Sequence, residues 1–283
     1  MDDLRTFLNV RQMLANFLQE DVGAGDITSD SIIPASLEAQ AEIACKSRSA
    51  IVCGLEEASL VFDICGCNSQ ILVKEGSKVG KGRAVMNVTG SAREILKAER
   101  TALNIMMRMS GIATETRGIV DLAKGVTILA TRKTAPGLRY LDKKAVVLGG
   151  GSTHRMRLDD MVLIKDNHLN IVSNIEKSIR TARKNVGSSI KIECEARSEK
   201  EAIAAVAAEA DIVMLDNFTP SQARETTKRL RRMCSYKNVQ IELSGGINRK
   251  NIKYYARAKP DFISLGYITH SFKAIDFSLE IMK

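Results

Sequence analysis

The 283-residue chain has no tryptophan, 4 prolines and 3 histidines, and aromatic residues make up only 4% of it. Each shortage excludes something. So few rings cannot supply the stacking platforms on which single-strand nucleic-acid binders rely. Four prolines and 19 glycines are too few for a collagen-like or low-complexity fibre. The 6 cysteines (Cys45, Cys53, Cys65, Cys67, Cys194, Cys234) are scattered, and the Cys65/Cys67 spacing is not that of a zinc C-x2-C pair. They read as reduced thiols that pack as small apolar groups. No apolar run approaches the ~18 residues of a membrane span. The N-terminus, acidic at its start, lacks the basic-then-apolar pattern of a secretion signal. The expectation is a soluble, cytoplasmic protein with no membrane partner.

The chain does have a globular composition, 45% hydrophobic and 27% charged, enough for one large domain or two modest ones. Its 42 basic and 33 acidic residues give a net charge of +9, which favours anionic partners: nucleic acid, a membrane surface or phosphorylated metabolites. Residues 1–20 predict a helix with an apolar stripe of Leu4, Phe7, Leu8, Met13, Leu14, Phe17 and Leu18. A Gly/Asp-rich turn follows at 20–30, and residues 39–53 alternate like a strand. Between 71 and 90, apolar pairs separated by glycine-containing turns predict a small sheet with tight turns. That rhythm resembles the hammerhead of biotinyl and lipoyl carriers, without their lysine between methionines. Residues 91–123 predict a long helix.

From about residue 126, β-type runs recur (VTILATRKT, AVVLGGG, MVLIKDNH, IKIECEA, ADIVMLDN, VQIELSGG, DFISLGY), most of them separated by segments of helical spacing. Such alternation predicts βα units and a parallel sheet, with the near-continuous Val/Ile/Leu runs buried on both faces. About seven units fit a barrel. Polar residues gather at the C-terminal ends of these runs: Arg132-Lys133, His154-Arg155, Lys165 with Asn167 and His168, Glu193 and Glu195, Asp216, Ser244-Gly245-Gly246 and Gly266. A βα barrel builds its site at that rim.

Residues 132–165 hold eight Lys/Arg (132, 133, 139, 143, 144, 155, 157, 165) against three Asp (142, 159, 160), and several of these cations are expected to converge on one mouth. Gathered there, they suit carboxylates and phosphates. Glu195 and Asp216 end successive strands and suggest a Mg2+ shared with a polyphosphate. The SGG turn and the G-x-x-x-H of Gly266 to His270 follow the last two strands, where barrels often bind phosphate. The residues alone therefore indicate a Mg2+-dependent enzyme acting on a phosphorylated sugar or polyphosphate and a polycarboxylate.

At these residues the chain closely resembles the quinolinate phosphoribosyltransferase family, the carboxylating nicotinate-nucleotide pyrophosphorylases. The likeness runs from Glu20 almost to the C-terminus through EDVGAGDITSD, AERTALN, ATRKTAPGLR, GGGSTHRMRLDDMVLIKDNH, IECEA, IVMLDN, ELSGGIN and SLGYITHS. The resemblance implies an N-terminal α/β sandwich-like domain (1–110), an incomplete C-terminal α/β barrel (111–270) and a terminal segment (271–283) returning to the first domain. It implies a homodimer or dimer-based hexamer. It also implies the conversion of quinolinate and phosphoribosyl pyrophosphate to nicotinate mononucleotide, pyrophosphate and CO2, a step of NAD biosynthesis. By motif, Arg132, His154, Arg155 and Lys165 would hold the two quinolinate carboxylates, with Arg100 reaching in from the other subunit. Lys133, Glu195 and Asp216 would serve the diphosphate, ribose and Mg2+, and Ser244, Gly245, Gly266 and His270 the 5′-phosphate. Departures from the family pattern are Thr153 before His-Arg, TRKTAPG for TRKTTPG, KDNH for KENH, and Tyr267 where alanine is usual; none removes a charged ligand. A molybdenum-operon paralogue is disfavoured because Arg139 and Lys165 are both present. A nicotinate-specific transferase would need one carboxylate clamp rather than this many cations. A nucleic-acid role for the basic helix 224–232 is disfavoured because that helix follows a barrel strand.

Overall fold

A computed structural model describes residues 2–233 and 238–282, with side chains from residue 9 onward. Leu4, Phe7 and Leu8 of the predicted stripe, and Cys234, lie outside the described side chains. The chain divides into two units, 1–115 with 272–283, and 116–271.

The first unit starts with α1 (Asp2–Val22) and α2 (Ile27–Ile32). Leu14 and Leu18 of α1 are buried. The Asp26 side chain caps α2 by accepting the Ser29 amide, and hydrogen bonding from the Ser29 side chain, then from this amide, lowers its pKa. Then come β1 (Glu38–Cys45), β2 (Ala50–Ile51), α3 (Leu55–Ile64), β3 (Asn68–Ile71), β4 (Lys78–Val79), β5 (Ala84–Ser91) and the start of α4 (Ala92–Leu122). The strand expected over 39–53 is broken in two, because the polar KSRS at 46–49 gives a sheet nothing to bury and β2 pairs with β4 instead. Sequence reading passed over α3, whose Leu55, Ala58, Val61 and Phe62 form one buried stripe. The amides of its N-cap residue Gly54 and its first residue Leu55 donate to the Glu75 carboxylate, at 2.6 and 3.2 Å, which satisfies donors that an isolated helix end leaves open. The last strand of the chain, β13 (Phe277–Ile281), joins this unit in the antiparallel order β13-β1-β5-β3. Along β1 the pleat buries Ala41, Ile43 and Cys45 and leaves the intervening residues more exposed.

The second unit contains β6 (Thr127–Ala130), α5 (Arg139–Leu148), β7 (Ser152–Thr153), β8 (Val162–Ile164), α6 (Asp166–Val172), α7 (Ile175–Asn185), β9 (Ile192–Ala196), α8 (Glu199–Ala207), β10 (Ile212–Asp216), α9 (Pro220–Met233), β11 (Gln240–Ser244), α10 (Ile252–Ala256), β12 (Phe262–Leu265) and α11 (Tyr267–His270). Its strands form a curled, all-parallel sheet in the order β7-β6-β12-β11-β10-β9-β8, an incomplete barrel with β7 and β8 at its edges. Every residue of β9 is buried, as expected of a strand covered on both faces.

One predicted strand is wrong. AVVLGGG is the end of helix α5, and the strand at this place is the short Ser152–Thr153. Four apolar residues in a row do not by themselves distinguish helix from strand. Here Leu141, Ala145 and Val146 share one buried helical face while Val147 is half exposed, so the period is helical.

Among the described residues, no helix is long and apolar enough to cross a membrane. Cys45, Cys53, Cys65, Cys67 and Cys194 form no disulfide. Burial pushes the Cys65 and Cys67 thiols up to about 11 and Cys194 up to about 12, so these three stay protonated at neutral pH.

Candidate active site

Side chains two apart on a strand point the same way. That periodicity turns Leu163 and Lys165, Met214 and Asp216, and Glu242 and Ser244 toward one side of the curled sheet, where they line a cavity of about 520 Å3 in the second unit. This is within the usual range for a small-molecule pocket. The loops after β6 and β7 add Arg132, Lys133, His154 and Arg155.

Four of the eight basic residues in 132–165 line this cavity: Arg132, Lys133, Arg155 and Lys165. The Nε of Arg132 is a buried donor with no partner among the described residues. Burial, followed by the nearby Arg132, lowers the Arg155 pKa from the ordinary arginine value. Both observations describe positive charge held out of water without enough negative charge beside it, the condition an anionic ligand relieves. Arg139, Lys143 and Arg157 do not line the cavity. Arg139 donates to the Met156 carbonyl at 3.0 Å, Lys143 donates to the carbonyls of His154 and Arg155, and Arg157 pairs with Asp159 at 2.9 Å on the surface.

His154 is engaged at both ring nitrogens. Nδ1 accepts the Arg155 amide at 2.8 Å, so the ring proton is on Nε2, which donates to Glu193 Oε2 at 2.8 Å. Glu242 Oε2 lies 3.6 Å from the same nitrogen. Both glutamates are fully buried, and one ligand-type atom from each of the three residues lies within 4.8 Å of the others. Two adjacent carboxylates at this depth do not both ionise cheaply. Burial, then the neighbouring Glu193, pushes Glu242 well above the usual carboxylate range.

Glu195, at the end of β9, accepts from Lys165 Nζ at 2.8 Å through Oε2. Asp216 ends β10, and its Oδ2 accepts the Asn217 side-chain amide at 2.6 Å. The turn after β11 is held by geometry rather than charge. Gly245 has φ +91°, and a Cβ there would collide with Asn217, so this position requires glycine. At Gly266 a Cβ would strike the Lys133 side chain at 2.6 Å and come within 3.2 Å of the His270 ring. Its absence lets Lys133 lie alongside His270. The Thr269 hydroxyl donates to the Lys133 carbonyl at 2.8 Å, fixing the lysine's backbone.

Lys133, Lys165, Arg132, Arg155, His154, Glu195, Asp216, Ser244 and Gly245 thus share one cavity, with the Lys133 and His270 side chains both packed beside Gly266. Arg100 belongs to the first unit; its side chain is 59% exposed and does not line this cavity. Asn167, His168, Thr153 and Tyr267 are also absent from the lining; His168 Nδ1 accepts the Lys165 amide at 2.9 Å.

The model of the quinolinate phosphoribosyl transferase N-terminal domain matches residues 26–110, and that of the C-terminal domain matches residues 112–280. The chain belongs to the quinolinate phosphoribosyl transferase family. It is 44% identical to a protein of Methanocaldococcus jannaschii named probable nicotinate-nucleotide pyrophosphorylase (carboxylating), covering 96% of this chain and 97% of that protein. A relative of the same name from Methanothermobacter thermautotrophicus is 41% identical, covering 95% and 98% of the two chains. The solved nicotinate-nucleotide pyrophosphorylase of Francisella tularensis superposes with a TM-score of 0.90 at 35% identity, covering 97% of this chain and 96% of that one.

In this member of the family, sequence reasoning named Glu193 only as a polar strand end and missed Glu242. The signal was present, since a glutamate inside an apolar strand (IECEA, IELSGG) must find a partner when buried. Asn217, which lines the cavity at φ +57°, was also missed.

Proposed function

We propose that this chain catalyses decarboxylating phosphoribosyl transfer, converting quinolinate and phosphoribosyl pyrophosphate to nicotinate mononucleotide, pyrophosphate and CO2 in NAD biosynthesis. Family membership supports the reaction class. The single observation that carries the substrate reading is the cavity that gathers Arg132, Lys133, Arg155 and Lys165 and contains an unpartnered buried guanidinium donor. Two carboxylates of a pyridine diacid supply the acceptors that these donors lack.

In this reading Arg132, Arg155 and Lys165 clamp the diacid, and Arg155 is aimed by the main chain that also carries His154. Holding both acid groups directs the pyridine nitrogen at the sugar carbon and replaces a chance encounter with an oriented attack. Lys133, kept beside His270 by Gly266, faces the charge that develops on departing diphosphate. Ser244, Gly245, Gly266 and His270 receive the 5′-phosphate. Glu195 and Asp216 stabilise positive charge at the ribosyl carbon. They also suit Mg2+: they are hard oxygen donors on neighbouring strands, Lys165 and Asn217 each engage one oxygen, and the other oxygen of each carboxylate remains for a metal. Bound there, the ion would neutralise diphosphate charge. After transfer, the bond from the ring to one carboxylate breaks and CO2 leaves; the carbanion beside the quaternary nitrogen, stabilised by the ring, then takes up a proton from solvent.

We further propose a cytoplasmic homodimer or dimer-based hexamer in which exposed Arg100 completes the partner copy's site. Release of 14C-labelled CO2 from quinolinate, with and without phosphoribosyl pyrophosphate and Mg2+, tests the reaction. CO2 release that needs both additions is expected; no release, or release independent of phosphoribosyl pyrophosphate, overturns it. Mixing Arg100→Ala with Lys165→Ala protomers under conditions of subunit exchange should restore part of the activity. Failure to do so removes the shared site.

A further inference from the structure

Arg139 and Lys143 stand one helical turn apart on α5, and neither lines the cavity. Both reach the same irregular stretch of main chain just after β7. Lys143 is 1% exposed and donates to the carbonyls of His154 at 2.9 Å and Arg155 at 2.6 Å. Arg139 donates to the next carbonyl, that of Met156, at 3.0 Å. The amides of the stretch are taken as well. The Arg155 N–H goes to His154 Nδ1 at 2.8 Å, and those of Met156 and Arg157 go to Asp160 Oδ2 at 2.5 and 3.0 Å. Every main-chain polar group from the His154 carbonyl to the Arg157 amide is thus satisfied by a side chain, with no strand ladder or helix contributing.

An arrangement of this kind is costly to build. Burial and the neighbouring Arg139 push the Lys143 ammonium down to about 8, so its charge is held against its own solvation. A methionine would fill similar space without that cost but could donate to neither carbonyl. What the amine provides is the path of the backbone between two residues that line the cavity.

We propose that Lys143, assisted by Arg139, is a positioning residue for the carboxylate-bearing pyridine substrate: it locks the main chain of 154–157 so that His154 and Arg155 face the cavity, while touching no ligand itself. The inference rests on the proposed reading that Arg155 receives a carboxylate of a pyridine diacid. It predicts an effect confined to one substrate. The Lys143 ammonium donates to the main chain after β7 rather than to the turns after β11 and β12, so the affinity for phosphoribosyl pyrophosphate should be spared.

The test compares Lys143→Met with wild type in two ways. Hydrogen exchange of the ligand-free protein should be about tenfold faster or more at the amides of residues 155–157, with other segments unchanged. The KM for quinolinate should rise about tenfold or more while the KM for phosphoribosyl pyrophosphate stays within about twofold. Lys143→Arg, which can again donate to paired carbonyls, should recover part of both. Unchanged exchange together with an unchanged quinolinate KM overturns the proposal, as does an equal rise in both KM values. If Lys143→Met does not fold, Arg139→Met, which removes the donor to the Met156 carbonyl and the longer 3.3 Å bond to Thr134 Oγ1 but leaves Lys143 in place, substitutes for it. It should shift both readouts in the same direction by about threefold, and no shift overturns the proposal. Exchange needs no turnover, so a chain inactive on quinolinate would refute the proposed function while the amides of 155–157 still judge the brace.

Discussion

Around the cavity, strands β7, β6 and β8, toward the edges of the sheet, contribute charged side chains: Arg155, Arg132 with Lys133, and Lys165. The inner strands β12 and β11 contribute, besides the Glu242 and Ser244 side chains of β11, backbone turns at Gly266 and at Ser244–Gly246. The two kinds of construction have different weaknesses. Cations near an edge need support behind them, which here comes from Lys143, Glu193 and Glu242, all nearly or fully buried. A glycine turn needs no such support but tolerates no added carbon. The charged part should therefore be sensitive to loss of a partner, and the turns to gain of a methyl group.

The largest effect expected from this contrast is in the charged part. Lys165→Ala should lower kcat/KM for quinolinate by about two to three orders of magnitude, since it removes a cation and leaves Glu195 unpaired. Its Tm should stay within a few degrees of wild type, because Lys165 is 43% exposed at the mouth rather than packed in the core. Near-normal turnover would show that the charge is not used in binding. Next is Gly245→Ala, which meets Asn217 and strains a positive φ at a cost of about 1–3 kcal/mol. The KM for phosphoribosyl pyrophosphate should rise about tenfold with little change for quinolinate; equal changes in both would erase the distinction between the two constructions.

The smallest effect should come from Glu242→Gln. Because burial and then the neighbouring Glu193 favour the neutral form of Glu242, an amide is a close replacement, and turnover should stay within about threefold of wild type. Stability carries the sharper signal. The folded chain keeps the Glu242 proton at pH values where the unfolded chain, with its carboxyl near 4.5, has lost it. Folding therefore binds a proton there, and wild-type stability falls as pH rises above about 4.5 relative to the Gln variant. Thermal melts of both proteins across that range would show a widening gap. A constant gap would mean that Glu242 is ionised in the fold and that the support behind His154 works differently.

Much of this was legible in sequence. Six of the seven strands of the parallel sheet fall within apolar runs picked out as β-type, and most of the polar ends of those runs line one cavity, whereas Asn167, His168, Glu193 and Gly266 are not in its lining. Those features depend on local pattern: a strand buried on both faces must be apolar nearly throughout, and the residue after its end is the first free to be charged. The seventh was misplaced onto α5, because VVL has the same composition in a helix as in a strand and the surrounding contacts decide. The basic helix α9 illustrates the same limit. Its Arg229 and Arg231 pair with Glu199 and Asp261, at 2.5 and 2.7 Å, on neighbouring elements that the sequence places 30 residues away in each case.

By itself the amino-acid sequence determined the βα grammar and the family's order of charged motifs, because each is written in neighbouring residues. Which cations would face a ligand and which would brace the backbone behind them was decided only by the tertiary structure. Arg132 and Lys143 look alike in a one-dimensional reading. They differ because folding gives one guanidinium a buried donor with no partner and gives the other residue's ammonium two main-chain carbonyls from a distant turn. Burial sets the worth of a charge, and burial exists only once the chain has closed around it.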